Sequence, residues 1–248
     1  MGVLLLTAAG IIVKFIGAVY RIVLGNLPGF GDVGMGLYGS AYQVYLVLFA
    51  LSTTGFPSAI AKLVAEKTAL GDRRGAHRIF RVAFALMVGM GAVIMVGFFF
   101  GSGWIAHLIS MPDTEYTMMA LAPTVFFVAV MSVYRGYFQG MQDMTPQANS
   151  QVIEQVGKGL FAIILGYTLL PYGVIWSAAG ATFGTTAGAI IGAIYLWNLY
   201  NRRKKELWRD IRNSPVAGKP DPAWDIIKRM VKLAIPISLG SILSLIHI

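Results

Sequence analysis

Apolar residues fall in blocks of roughly 20, the length a helix needs to cross a bilayer core of about 30 Å. The blocks run over Gly2–Leu24, Leu37–Ala65, Ile79–Phe100, Met118–Val133, Gly159–Leu170 and from Gly173 to about Tyr200, with a last run over Met230–Ile248. Each predicts a membrane-spanning helix. Gln142–Ser150 separates the fourth and fifth blocks, so those two form a hairpin, with Pro146 expected to stop the first helix. Ser52-Thr53-Thr54-Gly55-Phe56-Pro57 is expected to bend or loosen the second span, its hydroxyls satisfying freed backbone groups. In Gly101–Asp113, Trp104, Ile105, Leu108 and Ile109 make a short amphipathic face suited to the outer interface. The final run stops at Ile248 without a polar tail, and the chain is expected to be cut inside or just after a seventh span. The absence of a polar segment before Gly2 leaves room for a start upstream of Met1.

With 56% hydrophobic and 12% charged residues, the chain is too apolar for a soluble domain, in which about a quarter of residues carry charge. It reads as an all-α, polytopic membrane protein. A leading signal peptide is disfavoured, because the first block lacks a basic start and runs on through Lys14. The net charge of +9 raises a nucleic-acid reading, but fifteen of the twenty Lys and Arg lie in two segments, five in Glu66–Arg81 and ten in Arg202–Lys232. Neither residue occurs from Phe84 to Ser132. That distribution encodes orientation: both clusters lie in the cytoplasm, the protein sits in the cell membrane, and the N-terminus is cytoplasmic. Arg202–Lys232 is expected to be held to anionic lipid head groups, with no nucleic-acid partner. Cysteine is absent, and His77, His107 and His247 have no ligand spacing, so no metal site and no cofactor is expected. Gly34-Met-Gly36-Leu-Tyr-Gly39 matches a dinucleotide fingerprint formally, but a membrane span precedes it where a strand is needed.

The five remaining cations, Lys14, Arg21, Lys62, Arg135 and Lys158, lie in or at the ends of spans. A charge there costs about 2.5–3.5 kcal/mol on insertion scales, which makes such residues functional candidates. Arg135 and Gln139 share one face. Gln151, Glu154, Gln155 and Lys158 form a polar stripe on the next helix at i, i+3, i+4 and i+7. The two stripes are expected to face a cavity. Glu154 is the clearest acid within the spans, and the i, i+4 spacing assigns it Lys158 as partner. Lys14 and Arg21 are two turns apart, with Gly10 and Gly17 on the same face, and Lys62 is expected to pair with Glu66. The cation surplus suits an anionic ligand; an exporter of cationic drugs calls for the opposite sign. The plainer alternative is that Arg135, Glu154 and Lys158 form one internal network that only fixes packing. Tyr38, Tyr42 and Tyr45 share a face of the second span and read as packing or interfacial anchors. Gly180, Gly184, Gly188 and Gly192 repeat every four residues, a ladder that lets a neighbouring helix approach closely.

The segments Lys14-Phe-Ile-Gly17-Ala-Val-Tyr20-Arg21, Gly34-Met-Gly36-Leu-Tyr38, Leu51-Ser-Thr-Thr-Gly55-Phe-Pro57, Lys62-Leu-Val-Ala-Glu66, Tyr134 through Pro146 and Gln151-Val-Ile-Glu154-Gln155 carry a resemblance that covers most of the chain in order. Together they resemble the polysaccharide-exporter and lipid-flippase branch of the multidrug/oligosaccharidyl-lipid/polysaccharide (MOP) superfamily, and more closely its stage V sporulation protein B type. The resemblance implies a MATE-like carrier of two six-helix lobes around a central cavity. Residues 1–200 would then be the N-terminal six-helix lobe, 201–229 a basic cytoplasmic loop, and 230–248 the start of a second lobe, a truncated seventh transmembrane helix whose remainder comes from downstream sequence. It implies a transporter, not an enzyme, that flips an undecaprenyl-pyrophosphate-linked saccharide, either lipid II or a polysaccharide precursor. The pyrophosphate would be held by cavity cations, carried over to Lys14 and Arg21 and next to Lys62 and Arg135, with Gln139, Glu154, Gln155 and Lys158 as the accompanying polar stripe. A MATE-type multidrug/cation antiporter is the alternative. A membrane enzyme on prenyl phosphates would need clustered Asp or His, which the spans lack.

Overall fold

Away from water each backbone N–H and C=O must find a partner, and an apolar block closes those bonds within itself as a helix. The computed structural model describes residues 2–52, 55–214 and 221–246, and these form eight α-helices and two single 3-10 turns, Pro112–Thr114 and Leu170–Tyr172, with no strand among them. The α-helices are α1 (Gly2–Gly25), α2 (Gly31–Ser52), α3 (Phe56–Ala69), α4 (Arg73–Leu108), α5 (Glu115–Gly140), α6 (Thr145–Leu169), α7 (Val174–Arg212) and α8 (Ala223–Ile246). Six helices among the described residues, α1, α2 and α4 to α7, are long and apolar enough to span a membrane. The chain is an all-α, multi-pass membrane protein.

Several helix ends differ from the hydropathy blocks. The second block divides at Gly55 into α2 and α3; Thr53 and Thr54 of the expected loosening lie outside the described residues. The break is covered by α8: Gly55 N donates to Ser238 Oγ at 3.2 Å, and a side chain at Gly55 would run into the Ala234 carbonyl. The expected interfacial helix is the last part of a continuous α4, where Ile105 turns inward and Trp104 and Leu108 outward. Pro146 opens α6 in its first turn, where its missing N–H costs nothing, and α5 has already ended at Gly140. The cluster Arg202-Arg203-Lys204-Lys205 continues α7 as helix to Arg212 instead of forming a loop. Pro215, Lys219 and Pro220 of that segment, and His247, lie outside the described residues, and α8 already begins at Ala223.

The glycine ladder builds the centre of the bundle. A Cβ at Gly180 would meet Leu165, one at Gly184 Ala162, one at Gly188 Glu154 and Lys158, and one at Gly192 Glu154 as well as Met131 of α5, so α7 lies directly on the backbone of α6 from Gly180 to Gly192. Hydroxyls join α7 to α5 on the other side: Thr186 donates to the Ala120 carbonyl at 2.6 Å and pairs with the Thr124 hydroxyl at 2.7 Å. Gly136 and Gly140 bring α5 equally close to Pro57, Ile60 and Val64 of α3.

One end of the bundle gathers the charges. Arg203 pairs with Asp143, Lys67 with Asp221 at 2.8 Å, and Arg229 with Glu66 at 2.7 Å. Glu66 is therefore held from α8 and not by Lys62. Arg74 donates to the Ile211 carbonyl at the end of α7, and Gly2 lies against Met144. The N-terminus, the α5–α6 turn and both basic clusters thus share one end.

Candidate functional site

Glycines set the geometry where α1 meets α6. A Cβ at Gly17 would stand 3.1 Å from Gln155 Nε2, and one at Gly159 would stand 3.4 Å from Tyr20 Cβ, so the helices nearly touch and the longer side chains beside them splay around a hollow. Gly10 faces open space and takes no part. The hollow has a volume of about 340 Å³ and is lined by Lys14, Arg21, Tyr42, Gln155 and Lys158 among others. A second cavity of about 250 Å³, between α1 and α2, shares Arg21 and Tyr42 with it and adds Tyr38 and Gln43. Lys14 and Arg21 stand about 10.5 Å apart along α1, two turns at 1.5 Å per residue.

The three cations of the larger cavity differ in setting. Lys14 and Arg21 are exposed, while Lys158 is 5% exposed. Its ammonium donates to the Tyr42 hydroxyl at 3.2 Å and lies 4.3 Å from the centre of the Tyr42 ring and 5.6 Å from that of Tyr20. The Arg21 guanidinium lies 5.7 Å from the centre of the same Tyr42 ring. Among the described residues, no Asp or Glu lines either cavity.

Glu154 does not pair with Lys158. Its carboxylate accepts from Arg135 at 2.7 Å, and Arg135 Nε also donates to Ser150 Oγ at 2.9 Å. A guanidinium satisfies both acceptors at once through its fork, a geometry that an ammonium one turn along the same helix cannot offer. The two polar stripes therefore divide. Gln155 and Lys158 face the cavity towards α1 and α2, whereas Arg135 and Glu154 neutralise one another between α5 and α6. Gln139 is half-buried and Lys62 exposed, and neither lines these two cavities. Tyr20 and Tyr42 contact the buried cation, and the sequence did not single them out as site residues; the signal was three tyrosines on one face of a span whose neighbours carry unpaired cations.

A family model described as polysaccharide biosynthesis protein matches residues 1–245. Stage V sporulation protein B of Bacillus subtilis (strain 168) is 34% identical over 204 residues, which are 82% of this chain and 39% of that protein. Lipid II flippase MurJ of the same organism is 26% identical over 218 residues, 83% of this chain and 40% of that protein. Among solved structures, a MOP superfamily transporter from Pyrococcus furiosus, described as having a binding pocket of reverse polarity, superposes with a TM-score of 0.74 at 17% identity, over 97% of this chain and 52% of that one. The chain thus spans about two fifths of the length of these curated relatives and about half that of the solved transporter.

Proposed function

The chain belongs to the polysaccharide biosynthesis protein family, and we propose that its bundle forms one wall of a flippase cavity that takes a saccharide linked through pyrophosphate to undecaprenol. The observation that carries this is a hollow lined by Lys14, Arg21 and Lys158 with no carboxylate beside them. Phosphate charge is costly to move through a low-dielectric region, and cations already in place offset that cost. The outward side chains of α1, among them Leu4, Ile11, Phe15 and Ile22, are exposed and apolar, a surface along which the lipid tail stays in the bilayer while the head enters. The saccharide is that of lipid II or of a polysaccharide precursor, in keeping with the name of the MurJ relative and the description of the family model.

Residues 1–200 form the first lobe on this reading, and 230–248 open a second, against which the first rocks in alternating access. The shared end of basic clusters and N-terminus faces the cytoplasm, following the excess of Lys and Arg there, and the α7 extension rests on anionic lipid head groups. A multidrug cation antiporter of the same fold would need an acid in the cavity, and the carboxylate of Glu154 is taken by Arg135.

The test replaces Lys14 and Arg21 singly with alanine in the chain as its gene encodes it, in cells depleted of their own flippases. Protein levels should stay normal while growth is lost and lipid-linked precursor builds up on the inner leaflet. Normal growth of Lys14→Ala would overturn the scheme.

A further inference from the structure

Elsewhere in this bundle two half-buried cations are each matched by a carboxylate, Arg135 by Glu154 and Arg203 by Asp143. Lys158 is less exposed than either, yet none of the ion pairs among the described residues includes it. An ammonium taken out of water without compensation is strongly disfavoured. What surrounds this one is phenol. The Tyr42 hydroxyl accepts from Lys158 Nζ, and the faces of Tyr42 and Tyr20 lie 4.3 and 5.6 Å away. An aromatic face attracts a cation through its quadrupole, most strongly where water is excluded. The Tyr42 ring is held from both sides along α2, stacked on Tyr38 at 5.9 Å and tilted against Tyr45 at 5.5 Å. Tyr20 is fixed by its hydroxyl, 3.1 Å from that of Tyr38. Rings and hydroxyls together stabilise the ammonium and add no negative charge. A carboxylate in their place would hold Lys158 as well, but would cancel the charge that the cavity offers a ligand.

We propose that Tyr42 is a positioning and specificity-determining residue: with Tyr20 it houses the Lys158 ammonium without neutralising it, so that the cavity selects an anion. Tyr42 also meets the Arg21 guanidinium, so one ring touches a cation from α1 and a cation from α6 and sets how closely the two approach. The housing stands on these ring and hydroxyl contacts, and the selectivity rests on the cavity being the anion site of the flippase reading.

The experiment has two arms, both on the full chain in lipid nanodiscs. In the first, thermal unfolding is followed for Tyr42→Leu, Lys158→Met and the double variant. Tyr42→Leu should lower the melting temperature by about 4 °C while Lys158 is present, and by less than half of that once it is replaced, because the uncompensated ammonium has gone. Tyr42→Phe, which keeps the ring and loses the hydroxyl, should fall between wild type and Tyr42→Leu. Equal losses in the two backgrounds mean that Tyr42 only fills space, and the proposal is overturned. In the second arm, inorganic pyrophosphate is titrated calorimetrically. Tyr42→Glu should bind it at least tenfold more weakly than wild type, and unchanged binding by Tyr42→Glu overturns the selectivity. If wild type binds no pyrophosphate while the melting-temperature coupling holds, the flippase reading falls and the housing of Lys158 stands.

Discussion

Replacing Gly188 with alanine should unseat α6 from α7. A Cβ at Gly188 would lie 2.8 Å from Lys158 N and closer still to the Glu154 carbonyl oxygen, both backbone atoms that cannot rotate away. Ordinary contact at about 3.5 Å requires the helices to part locally by about 1 Å, set by the nearer approach to the Glu154 oxygen, and a gap of that order forfeits about half of each neighbouring dispersion contact. Overpacking of this kind costs about 1–3 kcal/mol, and the better helix propensity of alanine returns up to about 1 kcal/mol. The net expectation is a loss of about 1–2 kcal/mol, or about 4 °C in melting temperature. Gly89→Ala in α4 is the control, because nothing stands within 4 Å of its Cβ; it should be neutral or gain up to about 1 kcal/mol. Both variants are melted in the same detergent micelle. A Gly188→Ala protein that melts at or above the Gly89→Ala temperature would refute the close approach of α6 and α7, and with it the placement of Lys158 and Gln155 against α1.

The ion pair between α5 and α6 is expected to behave as a unit: Arg135→Ala strands the Glu154 carboxylate and should cost about 2–3 kcal/mol, and Arg135→Met with Glu154→Met should recover at least half of it. Equal unfolding temperatures for the single and double variants contradict that coupling. At the α5–α6 turn, burial pushes the Asp143 carboxyl up, but the Arg203 guanidinium and the Thr145 N–H outweigh it and hold it below its ordinary 3.8. Its stabilisation is therefore complete above that ordinary value and is lost as pH falls through the lowered one, so Asp143→Asn should flatten the acid limb of a stability profile below pH 3.8; superimposable profiles refute it. Lys204, Lys205, Arg209 and Arg212 line a groove of about 650 Å³ with Trp208 on the α7 extension. Each Lys→Gln change at 204 and 205 should weaken binding of the chain's extension to anionic vesicles by about 1 kcal/mol, roughly fivefold, and less at high salt. Equal affinity of wild type for phosphatidylglycerol and phosphatidylcholine vesicles would sink the assignment.

Hydropathy found the six helices among the described residues that are long and apolar enough to span, because it measures the cost of putting a segment into lipid, which depends on the middle of a helix. It says little about the ends. Beyond Tyr200 the chain is strongly charged, yet Arg, Lys, Glu and Leu are all good helix formers, and α7 continues to Arg212 without a break. Past Phe100 the residues grow less apolar without a proline to stop them, and α4 runs on. Pro146 illustrates the same limit: proline excludes a helix interior but suits a first turn, and only the end of α5 at Gly140 decides between the two. The glycine ladder was legible as a close-packing face because its four-residue repeat has one geometric consequence in a helix, although its partner, α6, was not.

Of the candidate site, the sequence shows which cations lie within the spans but not which partners they meet. Spacing along one helix says which side chains can meet, but in a bundle they compete with side chains from elsewhere, and Arg135 reaches Glu154 from α5 with a second hydrogen bond already in place at Ser150. Once Glu154 is taken, Lys158 has only neutral groups to turn to, and Tyr42 of α2 and Tyr20 of α1 are separated from it by more than a hundred residues. No local pattern announces such a contact. The cations that look alike in sequence thereby divide: Arg135 is paired with Glu154 and joins two helices, whereas Lys14, Arg21 and Lys158 line one hollow and enter none of the ion pairs among the described residues. Lys158, being buried, meets rings and a hydroxyl where Arg135 meets a carboxylate, and on the proposal made above the aromatic face of α2 thereby determines what charge the cavity presents to a ligand.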